Sequence, residues 1–159
     1  MTEIRLALDF AALDGIRVLF REYAESLGFS LDFQQFEQEL ATLPGRYAPP
    51  GGTILLALVD GQTAGCVALR PLEPGICEMK RLYVRPAFRG SGAGRALVQA
   101  TIERAAQAGY QRMRLDTLAT MTAARGLYES LGFSRVAPYC FNPMPDACYY
   151  QLVLPRPAR

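Results

Sequence analysis

Three closely spaced glycines mark the segment whose composition most directly suggests chemistry. They are Gly90, Gly92 and Gly94, and they follow a strand-like segment and precede a stretch with helical spacing. Glycine permits positive φ angles and lets a ligand approach bare backbone N–H groups. The helix that follows directs its unpaired amides and the positive end of its dipole at the same point. The segment therefore predicts a phosphate-binding turn.

This turn does not fit two common nucleotide-binding loops. No Gly-Lys-Ser/Thr sequence follows the glycines, although a Walker A loop requires one. Arg95 stands where a dinucleotide-binding fingerprint has its third glycine, and the strand before the turn comes from a meander. A P-loop nucleotide-binding protein is thus disfavoured. The turn alone leaves open a tight turn without a ligand.

Two motifs together resemble those of the GNAT superfamily, the acyl-CoA-dependent N-acyltransferases. LYVRPAFRGSGAG, at residues 82–94, resembles motif A and ends in its Arg-x-x-Gly-x-Gly pattern. LYESLGF, at residues 127–133, resembles motif B. The order of elements also fits, so the resemblance implies a single GNAT domain over residues 1–159. A non-catalytic acyl-CoA-binding domain on the same fold is the alternative.

The resemblance implies acetyl-CoA as the co-substrate. Its pyrophosphate would lie on the amides of the turn, and its pantetheine arm would pair with the preceding strand like an added strand. In this family, that strand and the strand starting near Tyr110 diverge and leave a slot for the thioester. Met121 stands where the family often has asparagine, which leaves a contact to a nearby hydroxyl such as that of Thr117. The predicted cofactor-binding residues are Leu82, Tyr83, Val84, Arg89, Gly90, Ser91, Gly92, Ala93, Gly94, Arg95 and Thr117.

The same resemblance gives Tyr128 the position of the family's general acid. Acetyl transfer expels a thiolate, and a phenol within reach of the sulfur can protonate it or hydrogen-bond to it as charge develops. The alternative is a buried ring on an amphipathic helix.

Glu78 matches a position where some family members have a general base. Its even spacing from Lys80 and Val84 predicts that the three side chains share one face of a strand. Pairing of Glu78 with Lys80 or Arg114, or a base role for water, is the alternative. Asp116 and the C-terminal carboxylate are further candidates for the base.

The acceptor amine would be recognised by segments outside the two motifs. In the loop from Cys140 to Asp146, the segment Phe141-Asn142-Pro143 and Asp146 are candidates to line the acceptor slot. Glu22 and Glu25 would either face a cationic amine or form a solvated helix face. Aromatic residues near the first helices are also candidates, although such a stripe is more often core: Phe29, Phe33, Phe36 and Tyr47.

Hydrophobic periodicity predicts an α/β (α+β) fold with one mixed sheet, the element order βααβββαβαββ and helices on both faces. The first helix is capped by Asp9 or Asp14 and stops at Gly28, and the second begins at Asp32. The helix carrying motif B is capped by Thr120 or Thr122. Residues 155–159 are expected to fray.

Composition excludes several classes of protein. The 159 residues carry a net charge of only +2 and contain four cysteines and no histidine. Nucleic-acid binding is disfavoured, as are a zinc site and a nucleophilic Cys140. No metal is expected. The absence of a long apolar run and of a signal-peptide pattern predicts a cytoplasmic protein without a membrane partner. Exposed edges near the final strands make a homodimer plausible.

Overall fold

The chain alternates strands and helices in the predicted order βααβββαβαββ. A computed structural model describes residues 1–31 and 35–156. Within these ranges the elements are β1 (Thr2–Leu6), α1 (Phe10–Leu27), α2 (Phe36–Ala41), β2 (Thr53–Val59), β3 (Gln62–Glu73), β4 (Ile76–Val84), α3 (Ala93–Gln107), β5 (Arg112–Leu118), α4 (Thr122–Ser130), β6 (Ser134–Val136) and β7 (Ala147–Val153). The predicted start of α2 at Asp32 and the last three residues of the tail, 157–159, lie outside the described residues.

The strands form one mixed sheet in the order β1-β2-β3-β4-β5-β7-β6. Strands β1 to β4 are an antiparallel meander, and β4 pairs in parallel with β5 through the α3 crossover. The turn between β2 and β3 is a tight hairpin at Asp60-Gly61, with φ angles of 49° and 81°. The short turns and the long crossover explain why the direction of pairing changes at β4.

Helices cover both faces of the sheet, as predicted. Leu97 and Val98 of α3 pack with Leu115 of β5 in one hydrophobic cluster. Ile16 and Phe20 of α1 belong to a second cluster on the opposite face. We refer to these two faces as the α3 face and the α1 face.

Local capping follows the sequence in α1 but not in α4. The Asp9 carboxylate accepts a hydrogen bond from the Ala12 amide at 2.8 Å, and Gly28 ends α1 with a φ of 75°. The prediction that Thr120 or Thr122 caps α4 is wrong. Met121 is the N-cap residue, and its side chain makes no capping bond. The Thr122 hydroxyl instead donates to the Thr120 carbonyl oxygen, 3.5 Å away.

A β-bulge in β4 changes which side chains share a face. Lys80 pairs with Ala68 and Tyr83 pairs with Cys66, so Arg81 and the residue after it oppose a single residue of β3. Arg81 has a φ of 64°, which accommodates the extra residue.

The bulge overturns the predicted face sharing of Glu78, Lys80 and Val84. Glu78 and Lys80 lie on the α1 face together with Tyr83, whereas Val84 lies on the α3 face. Even spacing predicts a common face only while the pleat is regular, and the extra residue inverts it.

Candidate active site

The parallel strands β4 and β5 pair for only part of their length. Their register joins Ile76–Glu78 to Arg112–Arg114 and stops there, so the strands diverge beyond these residues. The gap holds a cavity of about 690 Å³. Its walls come from the glycine-rich turn, α3, β5 and α4, and also from α1. The cavity therefore joins the α3 face of the sheet to the α1 face through the gap.

The glycine-rich turn presents unpaired backbone donors at one end of this cavity. Gly90 and Gly92 have φ angles of 82° and 89°, and Gly92 is the N-cap residue that precedes α3. Within the described ranges, the amides of these two glycines and of Gly94 and Arg95 donate to no acceptor. Positive φ angles turn successive N–H groups outward, which is the geometry of an anion site.

Side chains around the turn add charge and hold its position. The Ala93 amide donates to the Ser91 hydroxyl at 3.3 Å, so this donor is used within the turn. Arg89 and Arg95 are exposed beside the open amides. The Arg95 guanidinium also donates to the Ser130 hydroxyl at 2.9 Å, which ties the start of α3 to the end of α4.

Tyr128 of α4 lines the cavity. Its side chain is 5% exposed, and its ring lies 5.7 Å from that of Phe133 and 6.1 Å from that of Tyr150. Its hydroxyl has no hydrogen-bond partner in the part of the chain that the structure describes. Burial raises the pKa of Tyr128, and the nearby Tyr23 and Asp116 raise it further. The phenol is therefore protonated at neutral pH and is available as a donor.

Glu78 is buried in the sheet and is not part of the cavity wall. Its side chain is 1% exposed. Two nitrogens of Arg70 contact Glu78 Oε1, Nε at 2.9 Å and Nη2 at 2.8 Å. The Tyr139 hydroxyl donates to Oε2 at 2.7 Å. The expected pairing with Lys80 or Arg114 is thus wrong. Arg70 lies directly across the antiparallel β3–β4 ladder from Glu78 and takes this place.

Asp116 and Lys80 border the cavity on the α1 face. Lys80 Nζ lies 3.7 Å from Asp116 Oδ1, and Asn142 Nδ2 donates to Asp116 Oδ2 at 3.1 Å. Ligand-type atoms of Glu78, Asp116 and Cys140 lie within 4.8 Å of one another. Burial, together with the two carboxylates, raises the pKa of Cys140 to about 11. The thiol is therefore protonated near neutral pH, which agrees with the expectation that it is not a nucleophile.

Known proteins resemble this chain in both sequence and fold. The model of the "Acetyltransferase (GNAT) family" matches residues 13–133. An uncharacterized N-acetyltransferase of Schizosaccharomyces pombe is 45% identical over 142 residues, which cover 88% of this chain and 87% of the relative. The chain belongs to the GNAT family. The N-acetylaspartate synthetase of Homo sapiens is 41% identical to this acetyltransferase over 86 residues, which cover 54% of this chain and 28% of the synthetase.

Solved structures share the fold of this acetyltransferase. An acetyltransferase of the GNAT family from Staphylococcus aureus has a TM-score of 0.79 at 17% identity and covers 98% of this chain and 100% of that chain. The structure of yncA from Salmonella typhimurium, determined with its cofactor acetyl-CoA, has a TM-score of 0.74 at 24% identity and covers 99% of this chain and 96% of that chain. The mixed sheet and its helices are therefore the GNAT fold that the resemblance implied.

The remaining predicted cofactor residues of the acetyltransferase also border the cavity. Leu82, Tyr83 and Val84 lie along β4 beyond the point where β5 diverges. The Tyr83 hydroxyl donates to a carboxylate oxygen of α1 at 3.3 Å, so a role for this residue in binding acetyl-CoA depends on its backbone. The Thr117 hydroxyl donates to the sulfur of Met121 at 3.3 Å, which leaves its oxygen lone pairs available.

The predicted acceptor residues divide between cavity and core. Phe29 and Asn142 line the cavity. Phe36 and Tyr47 are buried in the cluster on the α1 face, which is the core alternative for such a stripe. Phe141 is 72% exposed and is not part of the cavity wall. Phe33 lies outside the described residues.

The acidic side chains on α1 do not face a free amine site. The Arg85 guanidinium donates to both oxygens of Glu22, at 2.8 and 3.0 Å, and thereby lowers the pKa of that carboxyl. Glu25 is exposed.

Tyr23 and Lys80 line the cavity, although the sequence pattern did not predict a site role for either residue. Tyr23 lies on the apolar stripe of α1, where helical spacing suggests core, but it lines the cavity. Burial raises its pKa to about 12. A tyrosine within an apolar stripe is itself a signal, because its hydroxyl needs a polar neighbour or water.

Proposed function

We propose that this acetyltransferase transfers the acetyl group of acetyl-CoA to a primary amine of a small molecule or peptide by direct attack in a ternary complex. The observation that carries the proposal is the continuity of one cavity. It runs from the open amides of the glycine-rich turn, past Tyr128, to the pair formed by Lys80 and Asp116. A thioester and an amine that enter from opposite faces would meet at the gap between β4 and β5.

The chemistry of the turn supports acetyl-CoA as the co-substrate. Open amides and a helix N-terminus suit a pyrophosphate, and Arg89 and Arg95 add positive charge beside them. The unpaired part of β4, from Leu82 to Val84, offers backbone groups to the amides of the pantetheine arm. The reaction requires no metal, because a neutral amine is itself the nucleophile.

Acetyl transfer needs an acid for the departing sulfur. Attack forms the C–N bond and moves an electron pair onto the carbonyl oxygen, where a backbone amide of β4 would stabilise the charge. Collapse then breaks the C–S bond, and Tyr128 donates a proton to the thiolate as it forms. The proton that leaves the acylated nitrogen restores the phenol. The products are the N-acetyl compound and coenzyme A thiol.

The attacking amine must first lose a proton from its ammonium form, and the contacts of two carboxylates support Asp116 as the acceptor of that proton. Asp116 borders the cavity, and its Oδ1 lies 3.7 Å from the Lys80 ammonium and makes no hydrogen bond to the described residues. Glu78 is enclosed by Arg70 and Tyr139 and would have to disrupt these contacts to act. We therefore propose Asp116 as the base, with Glu78 in a supporting position behind it.

A thiol-release assay tests the function. The purified protein is supplied with acetyl-CoA and a panel of amino acids, polyamines, amino sugars and peptides, and free thiol is followed against reactions without amine. Amine-dependent thiol release with a matching N-acetyl product in the mass spectrum is the expected result. Calorimetric binding of acetyl-CoA without turnover of any amine would instead favour a non-catalytic acyl-CoA-binding domain.

Three further properties stay predictions. The name of the N-acetylaspartate synthetases supports a small-molecule acceptor. No helix among the described residues has the length and apolar character needed to cross a membrane, and action in the cytoplasm is proposed from the sequence. A homodimer through the final strands would cover β6, a three-residue edge strand.

A further inference from the structure

The basic residues of this chain include a single lysine. Lys80 stands beside sixteen arginines among the 17 basic residues. Its side chain is buried, with the residue only 7% exposed, and it borders the cavity on the α1 face, where the acceptor would enter. An ammonium in this position needs strong acceptors, because burying a charge without hydrogen bonds is unfavourable.

Among the residues that the structure describes, none accepts a hydrogen bond from Lys80. Asp116 Oδ1 lies 3.7 Å away, beyond hydrogen-bonding distance, and the structure records no hydrogen bond to Lys80 Nζ from residues 1–31 or 35–156. Three neighbouring arginines differ from Lys80, because each of them has a carboxylate within hydrogen-bonding distance. Their carboxylate partners lie at 2.8 to 3.0 Å: Arg70 with Glu78, Arg81 with Glu39, and Arg85 with Glu22.

Asp116 also keeps one oxygen for a ligand. The side-chain amide of Asn142 donates to Asp116 Oδ2, and its oxygen Oδ1 accepts a hydrogen bond from the backbone N–H of Met144 at 3.0 Å. These two bonds hold the side-chain amide in one orientation. Among the described residues, Asp116 Oδ1 makes no hydrogen bond and lies 3.7 Å from the ammonium, and the Glu78 carboxylate and the Cys140 thiol lie within 4.8 Å of the Asp116 carboxylate. The cavity thus presents a positive and a negative group side by side, and each has unused hydrogen-bonding capacity.

We propose that Lys80 binds the α-carboxylate of the acceptor and that the acceptor is an α-amino acid. An α-amino acid carries an ammonium and a carboxylate on one carbon, so it can lie across the Lys80–Asp116 pair with its charges in the opposite order. Its carboxylate then fills the open donors of Lys80, and its amine lies beside Asp116, which takes the proton before attack. This inference rests on the proposed function and specifies its substrate class.

Acid and amide pairs test the carboxylate contact. The acetylation rates of L-amino acids with apolar, polar and acidic side chains are compared with those of their α-carboxamides, which keep the amine and the side chain. We expect the wild-type protein to prefer the acids by about 10- to 100-fold in kcat/KM, the range for a hydrogen bond to a charged group. Lys80→Met should remove this preference, so that acids and amides differ by less than about threefold in kcat/KM within this variant, and Lys80→Arg should keep part of it. Arg104→Met, which removes a positive charge from an exposed position on α3, is the matched control and should keep the full preference.

A second readout does not depend on turnover. Because Lys80 is the only lysine, [ζ-15N]lysine labelling gives one side-chain NMR signal. In the presence of coenzyme A, this signal should move on addition of the preferred amino acid, or of each amino acid of the panel if none is turned over. It should not move with the matching amides.

The outcomes separate the two proposals. Equal acetylation of acids and amides, or a Lys80→Met protein that keeps the preference, overturns the carboxylate contact and leaves the N-acetyltransferase function standing. If no amine is acetylated, the proposed function fails, and the NMR signal still decides whether Lys80 binds carboxylates. A signal unaffected by every amino acid would then overturn that contact as well.

Discussion

Replacing Tyr128 with phenylalanine removes one hydroxyl and leaves the ring in place. The ring keeps its contacts with Phe133 and Tyr150, whose centroids lie 5.7 and 6.1 Å away. The hydroxyl makes no hydrogen bond within the described ranges, so its loss leaves no described partner unsatisfied. We expect the free energy of unfolding to change by less than about 1 kcal/mol.

The expected loss of activity follows from the environment of the hydroxyl. A general acid contributes about 10²- to 10⁴-fold. Burial raises the pKa of Tyr128 well above that of a thiol, so complete proton transfer to the sulfur has little driving force. The proton of Tyr128 therefore passes to the sulfur late, as the C–S bond breaks, and the contribution of this acid falls at the lower end of the range or below it. We expect Tyr128→Phe to lower kcat about 10- to 100-fold, or about 1.4 to 2.7 kcal/mol, with little change in the affinity for acetyl-CoA.

The measurement combines thiol release at saturating amine with calorimetric titration of acetyl-CoA and urea unfolding. Tyr150→Phe is the matched control, because its ring contacts that of Tyr128 but is not part of the cavity wall. Its hydroxyl donates to Glu129 at 2.9 Å, so this variant should lose about 1 kcal/mol of stability and retain kcat. A folded Tyr128→Phe protein with kcat within twofold of wild type would refute the role of the acid. An equal loss in both variants would attribute the effect to packing.

Three other predictions follow from the site and its surroundings. Asp116→Asn should lower kcat/KM by about 10²- to 10⁴-fold, whereas Glu78→Gln should largely retain kcat/KM but lower the free energy of unfolding by roughly 2 kcal/mol, because the partly buried Arg70 guanidinium loses its charged partner. The opposite pattern would return the base role to Glu78. Gly92→Ala should cost about 1–2 kcal/mol of stability, since Gly92 has a φ of 89°, and should raise KM for acetyl-CoA by up to about tenfold. The control Gly126→Ala, with no atom near its added Cβ, should leave KM unchanged. Burial raises the pKa of Cys66 in the folded protein. Above the unfolded pKa of about 8.5, the unfolded state therefore binds fewer protons than the folded state, and the free energy of unfolding falls as pH rises. Between pH 7.5 and 9.5, urea titrations should show that Cys66→Ala loses about 1.4 kcal/mol less of this free energy than wild type, and equal losses would contradict the prediction.

Strand and helix positions could be predicted closely because they depend on local chemistry. The elements follow the predicted order, and α1 ends at the predicted Gly28. Alternation of apolar residues, turn dipeptides and glycine stops act within a few residues of one another, so they are readable without the fold. The cap of α4 could not be predicted in this way, because Thr122 has an alternative local acceptor for its hydroxyl.

The composition of the acceptor side could not be predicted from spacing. The bulge at Arg81 inverts the pleat of β4, which separates Glu78 from the face of Val84. Arg70 lies across the β3–β4 ladder from Glu78 and engages its carboxylate. A bulge depends on how two strands meet, and the sequence of one strand does not record it.

The amino-acid sequence by itself determined the family, the order of the elements and the end of the site that we propose to bind acetyl-CoA. These features lie in contiguous motifs, where a turn and the helix after it create the chemistry locally. Tertiary structure alone decided the other end, because Tyr23, Lys80 and Asp116 come from separate elements and meet only where β4 and β5 diverge. Lys80 Nζ and Asp116 Oδ1 lie 3.7 Å apart on parts of β4 and β5 that do not pair with each other.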